Sequence, residues 1–218
     1  MVVQWPTHRQ QRDLPLSQTK FSQTAADWDA RYLASKSVWS LEPNQFVVEQ
    51  LKDLEAGVVV DLAGGEGRNA LWFAANGWKA VNVEFSKVAL EKFEDRAKDA
   101  GLEVRSVLAD ATSANFECDP DLVVVAYLQL PWPQLRQALD NALAQQSKGV
   151  LFGVWHAREN LRDGFGGPQS EALLPSSQQL EDWLCTHSLL GRVQHRIRKV
   201  QTESGERQAI DITLLVRR

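Results

Sequence analysis

The sequence predicts an α/β protein: an open, doubly wound sheet of seven strands, mostly parallel, with an antiparallel strand supplied by a C-terminal hairpin. Three observations carry this expectation. Apolar runs alternate with capped amphipathic stretches from Val58 to Trp155, and such alternation builds parallel sheets covered by helices on both faces. The run VVVDLAGGEGRNA, Val58 to Ala70, reads as strand, acidic end, glycine turn and helix start. That order places a ligand crevice at the carboxyl end of the strand. Finally, two β-like runs at 193–200 and 209–216 flank Ser204 and Gly205; a short turn cannot join parallel strands, so one of them runs antiparallel.

Residues 1–23 are rich in Gln, Pro, Ser and Thr and predict a poorly ordered arm. Residues 24–218 predict one domain, with 24–56 as a helical cap over the site. A helix over 25–34 carries Trp28, Arg31 and Tyr32, and Trp39 and Pro43 mark a loop. Asn44 suits the N-cap of a helix to Leu54, which Gly57 ends. The strand 58–62 is apolar throughout except for Asp61, as expected where both faces are covered. A helix at 68–76, a strand at 79–83 and a helix from Ser86 through Ala100 follow. Residues 103–109 read as a strand, 111–119 as a loop or short helix, and 121–126 as a fourth buried strand. A helix over 133–146 and a strand over 149–155 complete the alternation. Residues 156–175 form a long connection, and long connections in compact domains tend to be functional or disordered. Ser176 opens a helix to about His187, with Gln179 placed for a capping box.

The 44% hydrophobic and 24% charged fractions are those of an ordinary globular chain, and the net charge of -4 argues against a general nucleic-acid binder. Arg192, Arg196, Arg198, Lys199, Arg207, Arg217 and Arg218 crowd the terminal hairpin. They read as a charged edge that discourages strand pairing, with a nucleic-acid patch as the rival reading. Cys118 and Cys185 form no CxxC pair and have no metal-ligand spacing, so no metal site is expected. No apolar run approaches the ~18 residues that span a bilayer, and the N-terminal stretch lacks a signal-peptide core. The expectation is a cytoplasmic protein without a membrane partner, as a monomer or homodimer.

The glycine run permits two registers. As GxGxxG/A, through Gly65, Gly67 and Ala70, it suits a nicotinamide or flavin dinucleotide. As an acidic residue followed by x-G-x-G-x-G, through Asp61, Ala63, Gly65 and Gly67, it resembles the pattern of S-adenosylmethionine-dependent methyltransferases. Asp61 favours the second, since a carboxylate at the strand end repels a pyrophosphate but suits the ammonium of a methionine moiety. Glu84, at the end of the second strand, lies near the ~20-residue spacing of a ribose-binding acid. Asp110, in VLADA, suits the adenine amine, with the Ala111 N–H for a ring nitrogen.

These stretches resemble the class I S-adenosylmethionine-dependent methyltransferases, in particular the small bacterial type related to tellurite-resistance and thiol methyltransferases. The resemblance rests on WDARY at 28–32, VWSLEPNQ at 38–45, DLAGGEGRNALWFAANGW at 61–78, VEFSKVALE at 83–91, LAD at 108–110, AYLQLP at 126–131 and GGPQ at 166–169. It implies a Rossmann-like fold, S-adenosylmethionine as cofactor, and methyl transfer to a small-molecule acceptor such as a thiol or metalloid oxyanion. The implied cofactor residues are Asp61, Ala63, Gly64, Gly65, Gly67, Glu84, Phe85, Asp110, Ala111, Tyr127, Arg31 and Trp39. Tyr127, Gln129 and His156 are the candidate catalytic residues: the first two follow the fourth strand, and His156 is the best-placed general base. Packing roles for Tyr127, His156, Trp28 and Trp39 are the competing readings. Departures from the family pattern are Ala63 for its first glycine, Gly64 where Cys is common, Asn82 for another glycine, and Glu84 for Asp. An NAD(P)-dependent oxidoreductase and a non-catalytic S-adenosylmethionine-binding protein remain the alternatives at this point.

Overall fold

The computed structural model describes residues 24–202 and 205–218, so the expected arm at 1–23 lies outside it. The strands are β1 (Val58–Leu62), β2 (Lys79–Glu84), β3 (Val104–Leu108), β4 (Leu122–Ala126), β5 (Val150–His156), β6 (Gly191–Thr202) and β7 (Gly205–Arg217). The helices are α1 (Ala25–Leu33), α2 (Gln45–Leu51), α3 (Arg68–Ala75), α4 (Lys87–Asp99), α5 (Trp132–Ala144), α6 (Asn160–Asp163) and α7 (Ser177–Thr186). One turn of 3₁₀ helix spans Glu171–Leu173.

All seven strands form one sheet in the order β3-β2-β1-β4-β5-β7-β6. The β1–β2, β2–β3, β1–β4 and β4–β5 pairs are parallel. Strand β7 runs antiparallel to both β5 and β6. The chain leaves β1 toward β2 and β3, then returns to β1's other side as β4. Between β1 and β4 the winding therefore reverses, and ligands of open α/β sheets bind at that crevice.

Local signals in the sequence set the helix starts. The Asn44 side chain accepts from the Phe46 and Val47 N–H groups, and Ser86 accepts from Ala89 N–H. Ser176 and Gln179 complete a reciprocal capping box. Helix α2 ends at Leu51 rather than Leu54. The chain turns at Lys52 and Asp53, and Leu54 N–H bonds back to Leu51 C=O, so that Leu54 still packs against the core. The hairpin strands outrun their apolar stretches, pairing from Gly191 with Val216 to Thr202 with Gly205. His156 closes β5 instead of following it.

Strand alternation divides the core into two layers. Val60, Leu62, Val123 and Val125 meet α5 and α7 through Leu135, Leu139, Leu180 and Trp183. Val59, Leu122, Val124 and Phe152 meet α2, α3 and α4 through Phe46, Leu71, Phe73 and Phe93. Asp61 shares the phase of Val59 and so points to the layer that holds α3. The 24–56 segment thus has two characters: Phe46, Val47 and Leu51 of α2 are core residues, whereas α1 and the loop after it pack elsewhere.

Candidate active site

The turn after β1 is built from left-handed backbone. Ala63 has φ 58°, Gly65 has φ 58° and Gly67 has φ 74°. Gly67 admits no side chain, because a Cβ there would lie 2.1 Å from the Phe93 ring. Ala63 holds a conformation that costs an L-residue with a Cβ about 1 kcal/mol. The other departures from the family pattern explain one another. A Cβ on Gly64 would lie 2.2 Å from Asn82 Oδ1 and 2.7 Å from the Asp61 carboxylate. Asn82 fills that space and donates from Nδ2 to Gly65 C=O at 3.0 Å. Gly64 and Asn82 are therefore one packed unit in which the volume has moved from the loop to β2.

Three carboxylates stand at three strand ends, as the sequence predicts. Asp61 is fully buried; Oδ2 accepts from Ala70 N–H at 3.2 Å and Oδ1 has no protein partner. Burial pushes this carboxyl up to about 6, against the pull of the Ala70 N–H and the Arg68 charge. Glu84 accepts from Gly65 N–H on Oε2 at 3.0 Å, and from Phe85 and Ser86 N–H on Oε1 at 3.0 and 2.9 Å. A carboxylate offers about four acceptor positions, so Oε2 keeps one. Burial also raises the Glu84 pKa. Asp110 is exposed, its Oδ1 taken by the Thr112 N–H and hydroxyl, with buried Ala111 beside it in the turn.

The segment preceding α2 is fastened to the glycine turn by Glu66, a residue sequence reasoning passed over. Glu66 is 2% exposed and accepts on Oε2 from Val38 N–H at 3.0 Å, while Lys92 and Arg96 reach Oε1 at 3.3 and 3.1 Å. Lys92 also donates to the Tyr32 and Ser35 carbonyls at 2.5 and 2.6 Å, ending α1 on α4. Asp29 accepts from Ser86 Oγ at 2.5 Å and Val88 N–H at 3.2 Å. These bonds set Tyr32 above Gly65, where a Cβ would fall 2.7 Å from the Tyr32 hydroxyl. Trp39 Nε1 donates to that hydroxyl at 3.3 Å. Exposed Arg31 stacks over Trp28 and Trp39 at 5.0 and 5.2 Å. Tyr32 and Trp39 thus meet the glycine turn, and Arg31 meets the two indoles.

Beyond β4 and β5 a polar cluster forms around Asp211, also missed in the sequence. The β5–β7 register sets His156 opposite Asp211. His156 Nδ1 lies 3.1 Å from Asp211 Oδ1, at ion-pair distance but outside hydrogen-bond alignment. Asp211 Oδ2 accepts from the Tyr127 hydroxyl at 2.9 Å and from Arg198 Nε at 2.8 Å. Burial pushes Asp211 up, but His156 and Arg198 outweigh it and hold the carboxyl below its usual range. Burial, followed by the Asp211 charge, raises the Tyr127 phenol, which stays protonated and donates. Tyr127 has φ 59°, a strained state for an aromatic residue and one that clusters at functional sites. Its ring lies 4.9 Å from the His156 ring. The 164–168 loop covers His156: a Cβ on Gly167 would lie 2.7 Å from the imidazole. Gln129 buries both amide atoms without a partner and makes no contact with the Asp211 cluster among the hydrogen bonds of the described residues. A signal for Asp211 was available: a single acid inside the apolar run Ala209 to Val216.

The hairpin cations are mostly committed within the protein. Arg196 pairs with Glu49, Arg198 with Asp211 and Lys199 with Glu206. Arg192 donates to Gln50, and Arg218 caps the carbonyls of Leu143 and Gln146. Among the described residues no group of His, Cys, Asp and Glu is arranged to hold a metal, and no helix is long and apolar enough to cross a membrane.

Comparison with known proteins agrees with this geometry. A methyltransferase-domain family matches residues 59–149, from β1 to the residue before β5. No curated protein matches the chain. Among solved structures, TehB from Haemophilus influenzae is similar at TM-score 0.66 and 16% identity, over 89% of this chain and 67% of that one. A protein described by the conversion of a disulfide bond into a thioacetal group during echinomycin biosynthesis is similar at TM-score 0.71 and 16% identity, over 89% and 91%. Magnesium protoporphyrin IX methyltransferase from Synechocystis PCC 6803, solved with bound S-adenosylmethionine, is similar at TM-score 0.56 and 11% identity, over 89% and 79%. The dinucleotide reading gives way here: β7 is inserted between β5 and β6, unlike the 3-2-1-4-5-6 order of dinucleotide folds. Residues 59–149 thus match a methyltransferase-domain family, and the chain shares its fold with solved methyltransferase structures.

Proposed function

We propose that this chain methylates a small-molecule acceptor at the crevice between β1 and β4, with Asp61, Ala63, Gly64, Gly65, Gly67 and Glu84 holding the cofactor and Tyr127 and His156 facing the acceptor. The observation that carries the reading is Asp61. Its Oδ1 is fully buried without a partner, and such a group calls for a donor. The ammonium of a methionine moiety is a donor of the right charge. Glu84 retains an acceptor position for a ribose hydroxyl, and Asp110 retains Oδ2 for an adenine amine. When bound, S-adenosylmethionine supplies a methyl group on a sulfonium, which is already a good leaving group. The protein's task is then chiefly positioning, worth up to ~7–11 kcal/mol when reactants are held in line.

In this reading His156 is the general base. Asp211 stabilises the Nδ1–H tautomer, which leaves Nε2 to take a proton from the acceptor. Tyr127 holds Asp211 in place through its hydroxyl, and Arg198 balances the carboxylate charge. The Gly167 loop shields the imidazole from water. A soft thiolate or a metalloid oxyanion needs little of this help; a neutral thiol, alcohol or amine needs all of it. The test is methyl transfer from labelled S-adenosylmethionine to a panel of thiols, amines, phenols and selenium and tellurium oxyanions. Turnover of one class, lowered by His156→Gln, supports the assignment. Turnover unaffected by that substitution removes His156 from the chemistry.

A further inference from the structure

Arg68, the first residue of α3, is a sheltered cation with no carboxylate at ion-pair distance among the described residues. The other arginines that are not exposed, Arg96, Arg105, Arg158, Arg196 and Arg198, each pair with a carboxylate. Arg68 has none within ion-pair distance among the described residues; its one hydrogen bond is a long one, Nη1 to Ser40 Oγ at 3.4 Å. Burial lowers its pKa, so the charge is poorly solvated. Holding such a charge unpaired opposes folding, and a ligand that supplies the opposite charge relieves it.

The surroundings favour an anion. The Arg68 guanidinium lies 5.8 Å from the centre of the Tyr127 ring, and Arg198 lies 5.8 Å from the same ring. Arg198 is matched by Asp211, which leaves the Arg68 charge in excess. Helix α3 has no side-chain cap and no acidic residue in its first turn, so its N-terminal dipole adds to the positive field. Asp61 and Arg68 attract one another, each opposing the effect of burial on the other, but they form no ion pair.

We propose that Arg68 is the receptor for an anionic oxygen group, a carboxylate or an oxyanion, brought into the β1–β4 crevice. The proposal rests on the methyltransferase reading of that crevice, which offers two sources of the same chemistry. One is the methyl acceptor, drawn in beside Tyr127. The other is the carboxylate of the cofactor's methionine moiety.

Calorimetric titration of wild type, Arg68→Gln and Arg68→Lys separates them. The probes are S-adenosylhomocysteine, 5′-methylthioadenosine, which lacks the amino-acid group, and sodium sulfate added to protein with and without saturating S-adenosylhomocysteine. If the acceptor is the source, R68Q binds S-adenosylhomocysteine within twofold of wild type and loses sulfate binding at least tenfold, while R68K keeps part of it. If the cofactor carboxylate is the source, R68Q binds S-adenosylhomocysteine at least tenfold more weakly and 5′-methylthioadenosine within twofold. The proposal is overturned if R68Q matches wild type for every probe, or if both nucleosides weaken equally, which marks a structural role. Melting without ligand is the folding control: R68Q is expected to melt no lower than wild type, and R68K carries the comparison if R68Q does not fold. Failure of wild type to bind either nucleoside would instead remove the methyltransferase reading, and the sulfate arm would still judge Arg68.

Discussion

Replacing Asp61 with Asn is expected to make the protein more stable and a worse binder of S-adenosylhomocysteine. Asp61 is fully buried, with Oδ1 unpartnered, and its carboxyl is pushed from 3.8 to about 6. Since the folded pKa exceeds the unfolded one, the folded state binds more protons between about pH 4 and 6. The contribution of Asp61 is therefore most favourable below pH 4 and declines as pH rises through 6. A shift of about two pKa units corresponds to about 3 kcal/mol less stability at pH 7 than a neutral side chain gives. Asn keeps the oxygen that accepts from Ala70 N–H and has no charge to bury. For a chain of this size that difference raises the melting temperature by roughly 6–12 °C. The assay is thermal unfolding of wild type and D61N from pH 4 to 8. The curves should coincide near pH 4 and diverge as pH rises, with D61N the more stable. In the same protein, calorimetric affinity for S-adenosylhomocysteine should fall tenfold or more, since a hydrogen bond to a charged group is worth ~1.5–3 kcal/mol. Two profiles that stay parallel over the whole pH range would refute the reasoning, as would a D61N protein that binds the nucleoside like wild type.

Other expectations follow from the same geometry. Ala63→Gly should stabilise the protein by about 1 kcal/mol in denaturant unfolding by relieving the left-handed strain; a destabilised variant would mean that the Ala63 methyl packs usefully. Gly64→Cys should destabilise by about 1–3 kcal/mol through overpacking on Asn82, and Asn82→Gly in the same chain should recover part of that loss. Strict additivity in this double-mutant cycle would show that the two positions are independent. Asp211→Asn should lower kcat on a neutral acceptor by ten- to a hundredfold and shift the pH–rate profile, whereas an unchanged profile would separate Asp211 from His156. Glu66→Gln should loosen the 37–39 loop, seen as faster amide exchange at Val38 and Trp39 with little change in the sheet; unaltered exchange there would contradict the fastening role.

The strand–helix alternation was legible because each local signal agreed with the others: Asn44, Ser86 and Ser176 do cap helices, and apolar strands do lie between two layers. Asp61, Glu84 and Asp110 were legible for the same reason, since each lies within two residues of the end of a strand that the sequence marks clearly. Asp211 was not, because its importance arises from an antiparallel register that brings it opposite His156, and register is a long-range property. Glu66 escaped because its partners, Val38, Lys92 and Arg96, are distant in sequence and meet only when α1 folds back onto α4. Arg68 looked like an ordinary helix start; only the pairing of the other sheltered arginines sets it apart. The family pattern made Ala63, Gly64 and Asn82 look like separate defects, whereas packing shows Gly64 and Asn82 to be a matched exchange.

Calorimetric titration of wild type and D61N with S-adenosylmethionine and S-adenosylhomocysteine decides whether the β1–β4 crevice binds the cofactor through Asp61 and the glycine turn. Saturable 1:1 binding to wild type that weakens at least tenfold in D61N is expected. No binding of either nucleoside to folded wild type at millimolar concentration would contradict it.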